Sequence, residues 1–164
     1  MACACACAPA SDADDPSIVP PLAGQEATEA WLAEGHHLAW TCEPAPRAPL
    51  ALSPHGRARA CANPVAVALG PTRVDASYVL ELFEGAAAAP AGYGVQRRTL
   101  DGEGGDAWYW YMRVPPGSAT IHDATGLAAD GWGFGDGPAA TYCTPCHQRA
   151  GDGQPGAAFV FVVP

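Results

Sequence analysis

The sequence predicts an α+β domain, mostly antiparallel β-sheet with a few helices packed on it. Three observations lead there. Short runs rich in aromatic and β-branched residues recur in the middle of the chain, glycine- and proline-rich connections separate them, and one stretch near the N-terminus has helical spacing. At 164 residues the chain is long enough for one domain with a sizeable core and short for two.

The helix candidate runs from Gln25 to about Trp40. Ala27, Trp31, Leu32 and Leu38 have partial helical spacing, Glu26, Glu29 and Glu34 line the other side, and Gly35 is the stop signal. Trp31 and Trp40 read as core anchors, because large aromatics bury the most area. Between Pro44 and Pro64 the proline and small residues read as loop. Strands follow at Tyr78 to Phe83, Gly94 to Leu100 and Ala107 to Val114, and the DGEGGD segment at 101–106 supplies a hairpin connection between the last two. The GWGFGDG segment at 131–137 reads as a loop wrapping close to something bulky. It is not a dinucleotide fingerprint, since Asp136 stands where the third glycine is needed. The final AAFVFVVP reads as a last apolar strand.

Residues 1–22 are small, acidic and proline-bearing, and cannot bury enough apolar surface to order themselves; they read as a disordered leader, with residues 23–164 as the domain. The Ala-Cys repeat carrying Cys3, Cys5 and Cys7 is either the remnant of a lipoprotein cleavage site, with a lipid anchor, or a low-complexity accident.

The net charge of −9, with all eight basic residues arginine and scattered, argues against nucleic acid and anionic membrane as partners. No apolar run approaches the length of a membrane span.

Residues 143–147 read Cys-Thr-Pro-Cys-His, the attachment pattern of haem c in every fixed position. Two thiols three residues apart add to the two porphyrin vinyl groups, and the next imidazole then lies beneath the iron. Cys143 and Cys146 are thus the attachment residues and His147 the iron ligand. Two other chemistries compete. A thioredoxin-like dithiol belongs early in a βαβ context, and a zinc site needs four ligands, which His55 or His122 would have to help complete.

The sequence resembles the cytochrome P-460 and cytochrome c-prime-beta family over roughly residues 25–164. The resemblance is carried by Ser53-Pro54-His55-Gly56, Cys61-Ala62-Asn63, Tyr78 to Phe83, Trp108-Tyr109-Trp110-Tyr111, the Cys143 to His147 motif and Phe159-Val160. It implies an antiparallel sheet, a homodimer, and a c haem held between the sheet and the C-terminal motif. One branch oxidises hydroxylamine and carries a lysine cross-linked to the porphyrin; this chain has no lysine. The other binds nitric oxide and carbon monoxide at a five-coordinate iron under an apolar cap, and the chain is similar to that branch. The expected role is gas binding or transfer of single electrons to a redox partner protein, the alternative being an enzyme acting on small nitrogen species.

For the distal side the candidates are Phe83, Tyr93, Trp108 and Trp110 as an apolar cap, with sheet packing as the competing reading. Met112 is a candidate sixth ligand or a gap-filler. Strand alternation sends one of Arg97 and Arg98 towards the haem edge, where it would meet a propionate. Glu81 and Glu84 are candidate distal bases or ordinary surface carboxylates. His55 reads as ligand, hydrogen-bonding group or solvated side chain, whereas His36, His37 and His122 carry no signal of their own. Cys42 and Cys61 flank the proline-rich loop and suit a disulfide in an oxidising compartment, with two buried thiols as the alternative. Haem c maturation also occurs outside the bacterial cytoplasm, so a periplasmic or exported protein is expected.

Overall fold

The computed structural model describes residues 15–49, 55–101, 105–114, 131–133 and 138–148. Six strands form one antiparallel sheet in chain order: β1 (Thr41–Cys42), β2 (Arg57–Ala62), β3 (Ser77–Phe83), β4 (Gly92–Arg98), β5 (Trp108–Arg113) and β6 (Gly131–Gly133). Among the described residues three α-helices accompany it, α1 (Gln25–Glu34), α2 (Pro64–Leu69) and α3 (Pro138–His147), with 3₁₀ turns at His36–Ala39 and Gly105–Ala107. Among the described residues no helix is long and apolar enough to cross a membrane.

The expected meander is β3-β4-β5, with β4 displaced two residues towards the N-terminus and Leu100 left exposed. α1 ends at Gly35, whose φ of 76° is left-handed and comfortable for glycine, and Leu38 beyond it is exposed instead of packed. Two parts of the expected organisation need correction. The 44–64 stretch contains β2, formed from Arg-Ala-Arg-Ala-Cys-Ala; this run has no β-branched residue, and it is a strand because it pairs along its whole length with β3. Gly131–Gly133 is β6 rather than loop, paired to β5, while 134–137 lie outside the described residues. So do residues 1–14, which hold the Ala-Cys repeat, and His122 and the C-terminal apolar segment.

Side-chain alternation sorts the sheet into two faces. The register puts Cys61, Val79, Val95, Tyr109 and Tyr111 on one of them, where Trp31, Leu32 and Trp40 from α1 and the following 3₁₀ turn cover them. We call this the α1 face. The other carries Ala62, Tyr78, Trp108 and Trp110, which cluster with Ala66 of α2 and Cys143 of α3. Because both faces are covered, β5 reads as an unbroken apolar run with Trp108 through Met112 all buried.

Residues 15–22, assigned to the leader on composition, are tied to the domain, which therefore begins by Asp15. Side-chain donors hold their carbonyls: the Trp31 indole donates to Pro16 (2.6 Å), the Trp40 indole to Ser17 (2.9 Å), Asn63 to Ile18 (2.9 Å) and Arg97 to Pro20 (2.6 Å). Asn63 is fully buried and uses its whole amide, since it also donates to Asp75 O and accepts from Ala66 N and Ser77 N, the former bond capping α2.

Cys42 and Cys61 are directly opposite in the β1–β2 register and form a disulfide across 19 residues. Closing a loop of that length stabilises by about 3 kcal/mol. The Cys42→Ser, Cys61→Ser double variant is therefore expected to melt about 10 °C lower than the parent; equal melting temperatures by calorimetry would contradict it.

Candidate functional site

The Cys-Thr-Pro-Cys-His run forms the last turn and a half of α3, which packs on β5 and β6. Cys143 and Cys146 are three apart on a helix and so share a face. Neither is in a disulfide; Cys143 is buried and Cys146 half-buried. Burial, reinforced by neighbouring Cys146, pushes the Cys143 thiol up to about 12, so it stays protonated at neutral pH.

His147 lies against Trp110, with ring centres 5.0 Å apart at an interplanar angle of 73°. Trp110 is fixed in turn: its indole donates to Gly105 O at 3.3 Å. Gly105 closes the contact with α3, since a Cβ there would stand 2.5 Å from Thr144 Cγ2. His55, just before β2, has its ring centre 6.2 Å from that of His147. Its Nδ1 is enclosed, and burial together with the charges of His147 and Arg47 pushes its pKa down to about 4, which keeps the imidazole neutral.

The sheet beneath is built from small residues on this face: Ala58, Ala60 and Ala62 of β2, Gly92 and Gly94 of β4, and Gly131 and Gly133 of β6. The hydroxyls of Tyr78 and Thr144 are enclosed there without a hydrogen-bond partner among the described residues. Burial pushes the Tyr78 phenol up to about 12.

Of the residues singled out in the sequence, Cys143, His147, Trp108, Trp110, Met112 and Arg98 share this side of the sheet. Met112 packs among Ala58, Leu82 and Val114, and the Arg98 guanidinium lies 5.4 Å over the Trp108 ring. Register sends Phe83, Arg97, Tyr93 and Glu81 to the α1 face, away from the motif. Phe83 stacks under the Arg57 guanidinium at 5.2 Å, and Arg97 is engaged by Asp75 at 2.7 Å. Neither joins the Cys143–His147 array: each is an odd-numbered strand residue in a register that commits odd numbers on β3 and β4 to the α1 face. Glu84 follows β3 and is exposed. Reading the residues alone also passed over Tyr78, whose burial beside Cys143 depends on the strand register.

The α1 face holds its own buried polar cluster. Glu81 accepts from Arg59 Nη2 at 2.9 Å and pairs with His37 Nε2 at 3.2 Å, with His37 and Glu81 almost wholly buried. Burial alone would raise the Glu81 carboxyl, but hydrogen bonds from His37 and Arg59 hold it below its usual value. A cleft of about 270 Å³ nearby is lined by Glu29, Leu32, Ala33, Tyr93, Tyr111 and Arg113.

Compared with protein-family models, with curated proteins and with solved structures, the chain matches none. Among the described residues no group of three His, Cys, Asp or Glu side chains is arranged to hold a metal ion, so the zinc reading finds no ligand set there.

Two outcomes are expected. Gly105→Ala drives a methyl into Thr144 and should destabilise by about 1–3 kcal/mol, with a matching fall in melting temperature; an unchanged transition would contradict the close packing. Glu81→Gln removes a carboxylate whose folded pKa is depressed, so the lost stability is fully present above the ordinary value of 4.5 and fades as pH falls through it. Because Arg59 is 28% exposed and can rehydrate, the loss at pH 7 is set at about 2 kcal/mol, below the roughly 3–5 kcal/mol of a fully buried broken pair. Urea unfolding should give a gap between parent and variant that narrows towards pH 3; a gap independent of pH would refute the assignment.

Proposed function

We propose that the chain is an exported monohaem c-type cytochrome of the cytochrome P-460 and c-prime-beta type, in which Cys143 and Cys146 hold the haem and His147 ligates its iron. The observation that carries this reading is the Cys143-Cys146-His147 array: two thiols on one helix face outside any disulfide, followed by an imidazole braced by Trp110. Three further features support the fit. Small residues floor this side of the sheet, Trp108 and Trp110 are apolar walls, and the enclosed hydroxyls of Tyr78 and Thr144 are left for a polar group to satisfy. The Cys42–Cys61 disulfide agrees with an oxidising compartment, periplasmic or extracellular.

When bound, the haem would supply a one-electron iron couple. The chain's own residues orient and enclose it. Trp110 and the Gly105–Thr144 contact fix the direction of His147, the Cys143 side chain is anchored in the core, and the aromatic walls exclude water. Arg98, not Arg97, is the arginine on this side of the sheet, and it is the one that would meet a propionate. Gas binding or electron transfer to a partner protein, from a homodimer as in the resembling family, is the proposed role. Oxidation or reduction of hydroxylamine or nitric oxide would need an acid or base beside the iron. Glu81 is committed to His37 and Arg59 on the opposite face, and the lysine of the cross-linking branch has no counterpart.

The test is expression of the full chain through the periplasm with the haem c maturation machinery, read by intact mass and a pyridine haemochrome spectrum. The parent should carry one covalent haem, and the Cys143→Ser, Cys146→Ser variant none. A parent whose mass is that of the bare polypeptide, with a normally folded sheet, would overturn the reading.

A further inference from the structure

The ring of His55 stands out among the groups near α3. It comes from the entry to β2, is remote in sequence from the motif, and its centre lies 6.2 Å from that of His147 with the planes at 62°. Two imidazoles bound to opposite sides of one iron have metal–nitrogen bonds of about 2 Å and ring centres about 1 Å beyond each nitrogen, which sets the centres roughly 6 Å apart at any interplanar angle. The separation therefore matches the span of an axial pair.

We propose that His55 is the second axial ligand of the iron, completing a bis-histidine site with His147. The proposal rests on the haem reading above and departs from the open, five-coordinate iron of the resembling branch. Met112 is the competing sixth ligand on the same face, but it is packed in the apolar cluster with Ala58, Leu82 and Val114. With both axial positions taken by imidazole, the iron is low-spin, gases enter only by displacing His55, and the site suits outer-sphere electron transfer to a partner protein rather than gas binding.

The holoprotein from the experiment above serves for the test, with spin state read by optical and electron paramagnetic resonance spectra and carbon monoxide titrated into the reduced form. The parent is expected to be low-spin in both oxidation states. His55→Ala should become high-spin, bind carbon monoxide at least about tenfold more tightly because no internal ligand competes, and return to a low-spin spectrum when imidazole is added. Met112→Leu should leave the spectra as they are. If His55→Ala fails to mature, His55→Met gives the second readout: a low-spin site whose reduction potential is raised. A high-spin parent, or a low-spin spectrum unaltered by His55→Ala, would overturn the assignment while leaving covalent haem intact. A parent without haem would instead remove the reading on which the assignment rests.

Discussion

Side-chain alternation across a sheet covered on both faces is the constraint on which the rest of this molecule depends. In β5, Trp108 and Trp110 turn to the side carrying the Cys-Thr-Pro-Cys-His helix, while Tyr109 and Tyr111 turn to α1. A slip of β5 by one residue would exchange the two sets and bring Tyr109 and Tyr111 under α3, placing two phenol hydroxyls where the indole rings stand. The aromatic residues in β5 therefore do more than fill space: their parity decides which rings meet the Cys143–His147 helix.

The two faces are built on different physical terms. The α1 face is packed with tryptophans and tyrosines beside the cleft at Tyr93 and Tyr111, and it carries the Cys42–Cys61 bridge and a carboxylate whose burial is offset by Arg59 and His37. On the opposite face the alanines of β2 and the glycines of β4 and β6 alternate with strands that carry large side chains, Tyr78, Leu80 and Leu82 on β3 and Trp108, Trp110 and Met112 on β5. Asn63 links the two levels, since its single amide fixes the start of α2, the entry to β3 and the N-terminal segment. That segment shows how a stretch poor in apolar residues can still be held: four of its carbonyls receive donors from side chains that are themselves anchored in the domain.

What could be read from the sequence follows from the same physics. The β3-β4-β5 meander was legible because its strands carry aromatic and β-branched residues between strong turn signals, and α1 because its Trp31-Leu32 pair and Gly35 stop sit at helical spacing. Strand β2 was not legible, because Arg57 to Ala62 has no strand propensity of its own and acquires its conformation from β3. Motif chemistry placed Cys143, Cys146 and His147 at one site, but nothing local to Phe83 or Arg97 indicates which way they point. Their face is a property of register, and so is the approach of His55 to His147, which links the entry of one strand to the end of a helix.

The motif straddles the boundary of the core. Cys143 is packed with Tyr78, Trp108 and Trp110, whereas Cys146 and His147 stand further out. Pro145 between them has no N–H to donate back towards Thr141, so the last turn loses a helical bond but gains a fixed φ. A group attached through both sulfurs would thus be gripped at one end by the domain interior and at the other by a stiffened helix terminus, with Thr144 held between them against Gly105. Such an arrangement couples the orientation of His147 to the packing of the sheet: the imidazole is oriented by Trp110, Trp110 by Gly105, and Gly105 by the same helix that carries the imidazole. The loop of contacts closes on itself, so the His147 ring can be disturbed by a change at any of these positions, including those that touch neither sulfur nor imidazole.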